Sequence, residues 1–231
     1  KTADVSLREK VAFGEKEIPA ALARLKETPG IAEAVLLSTC NRTEIYAVVG
    51  AEQAARMEIT NFVSALKNVK QADLNGSVYF HAGDEAVHHL ARVASSLDSM
   101  VVGEAQVLGQ VKAAFNAANG NKAVGRIFTN LFQRVYAVAK KVRTETEIGR
   151  MPSSVSAVAV ELAGKIFGDL SGRTVMILGA GKMSESTARH MASRGAAAVL
   201  VSNRTYEKAV DLAEMFKGSA VRFDEFPARL A

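Results

Sequence analysis

The predicted fold of this chain is built around the stretch Leu36-Leu37-Ser38-Thr39-Cys40-Asn41-Arg42-Thr43-Glu44-Ile45-Tyr46. Apolar runs at residues 34–37 and 45–49 predict two strands, and the polar residues between them predict a connecting loop. The only cysteine among the 231 residues, Cys40, lies in that loop beside Asn41 and Arg42. Because a structural cysteine is expected inside an apolar run, this position favours a thiol presented to solvent.

A thiol in such a loop can support nucleophilic chemistry. A free cysteine has a pKa of roughly 8.5, and a nearby cation such as Arg42 or a histidine lowers that pKa. Arg42 could equally hold a substrate carboxylate through its two-pronged guanidinium group. The other interpretation makes Cys40 a small hydrophobic residue at a strand end with an incidental arginine beside it, and the loop alone leaves the choice open.

Composition narrows the class of protein. Hydrophobic residues make up 48% and charged residues 23% of the sequence, which is typical of a globular protein. One cysteine excludes an intrachain disulfide and favours a reducing, cytoplasmic location. No apolar run reaches the roughly 18 residues of a membrane span, so no membrane partner is expected. The net charge of +5 permits RNA binding, but the basic residues are scattered, which favours a mildly basic enzyme.

The first part of the chain predicts helix, strand, strand, helix and strand. The helices are expected at residues 15–27 and 51–66, and the last strand at 77–80. This order would complete a ferredoxin-like split βαβ unit if one strand preceded Lys1. The chain starts without Met and stops after a strand-like segment, so we expect it to be part of a longer protein.

Polar residues border or interrupt the apolar pattern further along the chain. Asp84 is expected to cap a helix whose apolar face His89 borders. In residues 99–110, polar side chains alternate irregularly with apolar residues and glycines. This pattern predicts half-buried polar groups that bond to each other or to a ligand. Their more common use is structural.

A domain junction is predicted near residue 150. A helical stripe over residues 122–147 ends in the basic residues Lys140, Lys141 and Arg143, which suit a solvated helix C-terminus first and an RNA contact second. Residues 148–152 break this pattern, and a new helix is expected over 153–167.

The second domain has the pattern of a dinucleotide-binding βαβ unit. A strand at residues 174–178, a turn at 179–184, a helix at 185–193 and a strand at 198–202 follow in order. Gly179 permits the tight turn, and Gly181 lets backbone N–H groups approach a pyrophosphate. Another helix at 206–216 and strand at 220–223 are expected.

Two departures from the usual fingerprint affect the cofactor prediction. Ser184 replaces the third glycine but is small enough for close packing. Asn203-Arg204-Thr205 stands where an NAD site usually has an acidic residue, and Arg204 can pair with a 2′-phosphate, so NADPH is favoured. The predicted cofactor-binding residues are Gly179, Ala180, Gly181, Lys182, Met183, Ser184, Asn203 and Arg204.

A presented thiol followed by a nicotinamide site predicts a reductase that works through a thioester. The thiolate attacks an acyl group, hydride reduces the thioester carbonyl, and the thiohemiacetal collapses to an aldehyde. Backbone N–H groups of the Cys40 loop are candidate oxyanion donors.

The chain resembles the glutamyl-tRNA reductase family, which makes glutamate-1-semialdehyde for tetrapyrrole (porphyrin and haem) biosynthesis. The resemblance is carried by residues 1–3 with 7–10, 38–44, 96–110, 141–149 and 179–183. The Cys-Asn-Arg loop and the Gly-Glu-x-Gln-x-Leu-Gly-Gln run at 103–110 are the most specific of these motifs.

The resemblance implies an α/β fold with a ferredoxin-like catalytic, glutamyl-tRNA-binding domain at residues 1–150. An incomplete Rossmann-type NADPH-binding domain at 151–231 would follow. It further implies that Cys40 is the nucleophile and that His89 assists catalysis. The implied substrate-binding residues are Thr39, Asn41, Arg42, Ser99, Glu104, Ala105, Gln106 and Gln110.

The resemblance also implies partners. These are glutamyl-tRNA(Glu) as substrate, a homodimer formed through a C-terminal helical domain that this sequence lacks, and glutamate-1-semialdehyde aminomutase as a candidate partner. The implied location is cytoplasmic, or plastid in a plant or alga. The sequence departs from the family in Ala105, where many members have Pro, in Met151-Pro152, where Gly-Ala is common, and in Ser184.

Two other functions remain open at this point. Cys40 with His81, His88 and His89 has donor types that suit zinc, although adjacent histidines on a helix diverge by about 100°. The chain could also be a non-catalytic NADP-binding sensor or adaptor with an idle cysteine. Detection of glutamate bound covalently to Cys40 would distinguish an enzyme from a sensor.

Overall fold

A computed structural model of the chain describes residues 3–99, 101–150 and 155–230, in two compact units, Lys1–Met151 and Pro152–Ala231. The helices of the first unit are α1 (Val5–Val11), α2 (Ile18–Glu27), α3 (Glu52–Lys67), α4 (Gln71–Leu74), α5 (Asp84–Ala94), α6 (Ala105–Gly120) and α7 (Arg126–Glu145). Its strands are β1 (Ile31–Ser38) and β2 (Thr43–Val49). The second unit contains α8 (Val155–Phe167), β3 (Thr174–Leu178), α9 (Lys182–Ser193), β4 (Ala198–Ser202), α10 (Tyr206–Met215) and β5 (Ser219–Val221).

The two strands predicted around Cys40 are confirmed. β1 and β2 pair antiparallel, and Ser38 lies opposite Thr43 at the end that carries the connecting loop. β1 packs against α2 and α6, and its residues 34–37 are buried. Burial of successive residues explains why this strand reads as a continuous apolar run rather than as an alternating one.

A buried carboxylate links β1 to the start of α7. Glu33 is 8% exposed, and its two carboxylate oxygens accept hydrogen bonds from the backbone N–H groups of Ile127 (3.0 Å) and Phe128 (2.8 Å). Gly125, the N-cap residue, has no side chain with which to do this. Glu33 therefore satisfies two of the free donors of the first helical turn from a different element.

Residues 77–80 do not form the predicted strand. Val78, Tyr79 and Phe80 are exposed and have no regular secondary structure. In the described residues of the first unit, the sheet consists of β1 and β2, so this segment has no strand partner. Apolar alternation signals an extended segment, but a strand also needs a second strand beside it, and the local sequence does not report whether the fold brings one there.

Several helix boundaries also differ from the prediction. α1 is an additional helix, capped by Asp4, whose Oδ1 accepts from Leu7 N at 2.8 Å. Gly83, with φ +54°, is the N-cap of α5, so Asp84 is the first helical residue rather than the cap. The run at 99–110 gave no helix prediction, yet α6 begins within it, because apolar positions such as Val111 and Phe115 are buried in the core.

The second unit is a parallel sheet with helical connections. Its strand order is β3-β4-β5, with Thr174 opposite Ala198 and Leu200 opposite Ser219. The predicted strands at 174–178 and 198–202 are confirmed, α9 begins earlier than expected, at Lys182, and β5 is shorter. Met151, Pro152 and the predicted start of the helix at residue 153 lie outside the described residues.

Among the described residues, no helix combines the length and apolarity that crossing a lipid bilayer requires.

Gly218 closes the C-terminal turn of α10. Replacing it with alanine is expected to destabilise the second unit by roughly 3 kcal/mol, because a Cβ atom there would overlap the backbone carbonyl oxygen of Val199 in β4. Gly164→Ala in α8 is the matched control. A Cβ atom at that site meets nothing within 4 Å, so alanine is expected to add about 1 kcal/mol of helix stability. Urea unfolding measures both, and equal effects would contradict the overlap.

Candidate active site

The Cys40 loop is a short, internally bonded turn. Thr39 N donates to Arg42 O at 2.8 Å, and Thr39 Oγ1 accepts from the N–H groups of Asn41 and Arg42, both at 3.2 Å. Cys40 itself is exposed. The backbone N–H groups of Asn41 and Arg42, two of the candidate oxyanion donors, are thus already bonded to Thr39. The backbone N–H of Cys40 is the remaining candidate, and it has no acceptor among the described residues.

The α1 helix supports this loop from one side. Arg8 Nη1 donates to Asn41 Oδ1 at 3.2 Å, and Thr43 Oγ1 donates to Val11 O at 3.3 Å. Asn41 is thereby oriented by a residue thirty-three positions earlier in the chain. The predicted substrate-binding residue Asn41 is held in place before any substrate arrives.

Arg42 is engaged by two carboxylate-bearing residues of the protein. Nη1 lies 2.9 Å from Glu44 Oε1, and Nη2 lies 3.3 Å from Asp98 Oδ2 and also bonds the Asp98 carbonyl oxygen. Burial disfavours the charged guanidinium group, but these acidic neighbours outweigh it and raise the pKa of Arg42. A role for Arg42 toward a substrate carboxylate stays a prediction.

Glu44 is a buried carboxylate at the centre of a polar network. Its Oε1 accepts from Arg42, from the Tyr79 hydroxyl group and from His89 Nε2 at 3.0 Å, while its Oε2 accepts from the Tyr46 hydroxyl group. The residue is 8% exposed. Four side chains from β2, α5 and the segments beside them therefore meet at one carboxylate.

The partners of Glu44 decide its charge. Burial alone would raise the pKa of Glu44, but the hydrogen bond from His89, the charge of Arg42 and the two tyrosine hydroxyl groups lower it to about 2. Glu44 is therefore ionised at neutral pH. Burial and the Glu44 charge raise the pKa of Tyr79 above its ordinary value, so that hydroxyl group stays protonated.

His89 is held against this network within a small aromatic group. Its ring lies 5.4 Å from the Tyr79 ring, edge to face, and 4.9 Å from the His81 ring. His81 Nδ1 lies 3.7 Å from the exposed carboxylate of Glu85. In the described parts of the chain, no three His, Cys, Asp or Glu side chains are arranged to hold a metal ion, so no observation supports the zinc alternative.

The turn after α5 brings Asp98 to Arg42. Ser96, with φ +60° and full burial, donates its hydroxyl proton to Glu104 O at 2.5 Å, and its carbonyl oxygen accepts from Gly103 N at 3.1 Å. Arg143 Nη1 donates to Gly103 O at 3.1 Å. Arg143 thus braces this turn instead of belonging to a solvated basic face, as its neighbours Lys140 and Lys141 do.

The other predicted substrate-binding residues are spread over this turn and α6. Ser99 and Glu104 are half-buried, and burial raises the pKa of Glu104. Ala105 starts α6, Gln106 is exposed and Gln110 is half-buried. Among the described contacts, only Asp98, next to Ser99, joins the turn to the Cys40 loop. Whether the remaining residues line one site stays a prediction.

The glycine turn of the second unit leaves room for a phosphate group. Gly179 has φ +106°, which only glycine adopts readily, and a Cβ atom there would contact Ser184 Oγ at 3.4 Å. Gly181 is the N-cap of α9, and a Cβ atom at this position would meet nothing within 4 Å. Ala180 is half-buried, and Lys182 and Met183 are exposed in the first turn of α9. These residues fit a dinucleotide pyrophosphate.

Arginine side chains lie at the carboxyl ends of β4 and β5. The Arg204 guanidinium group lies 5.9 Å from the Phe223 ring, and that of Arg222 lies 4.9 Å from the Tyr206 ring. Asn203 Nδ2 donates to Thr205 O at 2.9 Å, which fixes the turn that carries Arg204. Arg222 is a second cation at this edge that the sequence reasoning missed.

Glu44, Tyr46 and Tyr79 were also missed as site residues. For the first two a signal existed, because Arg42, Glu44 and Tyr46 alternate along the loop and β2 and so share one face of the strand. A charged pair followed by tyrosine on one face of an otherwise apolar strand indicates a buried polar network. Tyr79 carried no such signal, since its partners lie on other elements.

Comparison with protein families matches both units. Residues 1–146 match the family described as Glutamyl-tRNAGlu reductase, N-terminal domain, and residues 161–231 match Shikimate / quinate 5-dehydrogenase. These matches confirm the expected fold class, an α/β chain with a Rossmann-type second domain.

Individual relatives agree with the first match. The chain is 53% identical over 230 residues to the glutamyl-tRNA reductase of Solibacter usitatus, covering 100% of this chain and 55% of that protein. It is 46% identical to that of Syntrophotalea carbinolica, covering 100% and 52%. A solved structure, glutamyl-tRNA reductase from Methanopyrus kandleri, superposes with a TM-score of 0.61 at 39% identity, covering 97% of this chain and 52% of that one. The chain thus spans about half the length of these relatives.

Proposed function

This chain belongs to the glutamyl-tRNA reductase family, and from that premise we propose that it reduces glutamyl-tRNA(Glu) to glutamate-1-semialdehyde through a thioester on Cys40. The observation that carries the proposal is the exposed Cys40 thiol, in a loop whose Arg42 is hydrogen-bonded to the buried Glu44 carboxylate. A structural cysteine needs no such surroundings.

The loop supplies the parts that acyl transfer needs. Cys40 Sγ attacks the carbonyl carbon that joins glutamate to the ribose, the C–O bond breaks, and the tRNA hydroxyl group leaves with a proton. The backbone N–H of Cys40, which belongs to the nucleophile's own residue, is the proposed donor to the oxyanion. Arg42 and Asn41, both held by protein contacts, are the proposed contacts of the glutamyl group.

Reduction of the thioester completes the proposed reaction. NADPH, bound at Gly179 to Ser184 with its 2′-phosphate near Arg204, would supply hydride to the thioester carbonyl carbon. The carbonyl oxygen then gains a proton, for which His89 is the proposed source. When the C–S bond of the thiohemiacetal breaks, its hydroxyl proton returns to His89, the thiolate of Cys40 is regenerated and the aldehyde leaves.

Trapping the acyl-enzyme tests the proposal. The protein is incubated with glutamyl-tRNA carrying radiolabelled glutamate, without NADPH, and mass spectrometry of its peptides is expected to locate glutamate on Cys40. Addition of NADPH is expected to release the label as semialdehyde. Protein alkylated on its single thiol is the control. A folded protein that binds glutamyl-tRNA but never holds glutamate covalently would contradict the proposal and favour a non-catalytic NADP-binding sensor or adaptor.

Arg204→Ala is expected to reduce the preference for NADPH over NADH by tenfold to a hundredfold, because one charge-assisted contact to the 2′-phosphate is worth about 1.5–3 kcal/mol. The loss is expected in KM for NADPH, with KM for NADH unchanged. Arg189→Ala on α9, an exposed arginine paired with Glu185, is the control. Steady-state kinetics with both cofactors measures the ratio, and equal losses for NADPH and NADH would refute a 2′-phosphate contact.

The place of this reaction in the cell follows from the same proposal. We expect the reaction to supply glutamate-1-semialdehyde for tetrapyrrole biosynthesis, in the cytoplasm or, in a plant or alga, in the plastid. The whole protein is expected to act as a homodimer, with glutamate-1-semialdehyde aminomutase as a candidate partner.

A further inference from the structure

His89 faces two oxygen atoms through one ring nitrogen. Nε2 lies 3.0 Å from Glu44 Oε1 and 3.4 Å from the Tyr79 hydroxyl oxygen. Glu44 is ionised, so its oxygen can only accept a hydrogen bond. Nε2 must therefore carry a proton.

Tyr79 imposes the same requirement on His89. Its hydroxyl group donates to Glu44 Oε1, which commits the one proton that this oxygen carries. Toward His89, the Tyr79 oxygen can then act only as an acceptor. A histidine with a bare Nε2 would place its lone pair against two oxygen lone pairs.

The surrounding contacts fix the carboxylate as well as the ring. Tyr79 and Tyr46 bond to different oxygens of Glu44, so the carboxylate cannot rotate without losing one of them. The rings of Tyr79 and His81 pack on His89. Glu44, which bonds His89, is also paired with Arg42, and Glu85 lies 3.7 Å from His81.

We propose that Tyr79 is a positioning residue that, with Glu44, keeps the proton of His89 on Nε2 and so makes Nδ1 the nitrogen that exchanges protons with the substrate. This inference rests on the proposed function. Among the described residues, His89 Nδ1 has no hydrogen-bond partner.

Proton transfer through Nδ1 balances the reduction. As hydride adds to the thioester carbon, the carbonyl oxygen takes the proton from Nδ1 of the protonated imidazole. As the C–S bond breaks, the thiohemiacetal hydroxyl proton returns to Nδ1 and Cys40 leaves as thiolate. The proton on Nε2 stays on His89 and hydrogen-bonded to Glu44 throughout.

Three tyrosine variants test the proposal. Tyr79→Phe and Tyr46→Phe each remove one hydroxyl group bonded to Glu44, but only that of Tyr79 also contacts His89. Tyr136→Phe removes a buried hydroxyl group that has no hydrogen-bond partner among the described residues, and it is the control. Two measurements are made on each: the rates of acyl-enzyme formation and reduction in single turnovers, and the ¹⁵N chemical shifts of His89, assigned with His89→Gln.

Wild-type neutral His89 is expected to be protonated on Nε2. Tyr79→Phe is expected to show a measurable share of the other tautomer and reduction slowed about tenfold, with acyl-enzyme formation unchanged. Tyr46→Phe is expected to keep the wild-type tautomer and to slow reduction less.

Two results would overturn the inference: a wild-type His89 protonated on Nδ1, or Tyr79→Phe matching Tyr136→Phe in both measurements. If neither the wild type nor any variant forms an acyl-enzyme, the proposed function fails, and the ¹⁵N shifts still decide on which nitrogen of His89 the contacts with Tyr79 and Glu44 keep the proton.

Discussion

Replacing Cys40 with serine is expected to lower semialdehyde production by about 10³-fold or more, because a hydroxyl group at neutral pH is a far poorer nucleophile than a thiolate. The ester that serine could form is also reduced less readily than a thioester. The loss is expected in both acyl-enzyme formation and reduction. Rapid-quench kinetics with labelled glutamyl-tRNA measures each step.

The fold offers a clean control for this substitution. Cys40 is exposed, so serine is expected to leave the unfolding free energy within about 0.5 kcal/mol of the wild type. Adding Ala192→Cys on α9 restores an exposed thiol elsewhere in the chain and is not expected to restore activity. A Cys40→Ser protein that still makes semialdehyde at the wild-type rate would end the thioester mechanism.

Removing the Glu44 carboxylate is expected to have the second largest effect. Glu44→Ala should lower the unfolding free energy by about 3 kcal/mol, because it leaves the half-buried guanidinium group of Arg42 short of one anionic partner. It should also slow reduction of the acyl-enzyme about a hundredfold, since His89 loses the group that orients it. Urea unfolding and single-turnover reduction measure the two effects separately.

Glu33→Ala is the matched control for Glu44→Ala. Glu33 and Glu44 are both 8% exposed, and both accept several hydrogen bonds. Glu33 caps α7, so its loss is expected to reduce stability by about 2 kcal/mol without changing the rate of reduction per folded molecule. If the two variants slow reduction equally, the slower reduction in Glu44→Ala results from lost stability and not from lost orientation of His89.

Glu44 also predicts how stability depends on pH. Its pKa in the folded protein is about 2, below its ordinary value of 4.5, so the folded state holds this proton less tightly than the unfolded chain does. The stabilisation is therefore complete above about pH 4.5 and is lost as the pH falls toward 2, amounting to about 3 kcal/mol. Glu44→Gln is expected to lack this part of the acid dependence in urea unfolding between pH 5 and 2. A variant with the wild-type slope would contradict the low pKa.

The local sequence pattern was sufficient to predict an element where that element packs against neighbours that follow closely in sequence. The strands around Cys40, the unit from β3 to β4 and the family resemblance were all readable, because apolar periodicity and glycine spacing report them directly. The same reasoning failed at residues 77–80, which pair with neither strand of the described sheet, and at Asp84, where Gly83 has the backbone conformation that starts the helix.

By itself, the sequence determined that a lone cysteine sits in a loop between two strands and that a glycine turn with Arg204 follows in a second domain. Only the tertiary structure decided that Glu44 joins Arg42, His89, Tyr46 and Tyr79, and that Arg143 braces the turn carrying Asp98. The physical reason is that propensity and periodicity act over a few residues. A buried charge, in contrast, is stabilised by whichever donors the folded chain brings within about 3 Å, regardless of their separation in sequence.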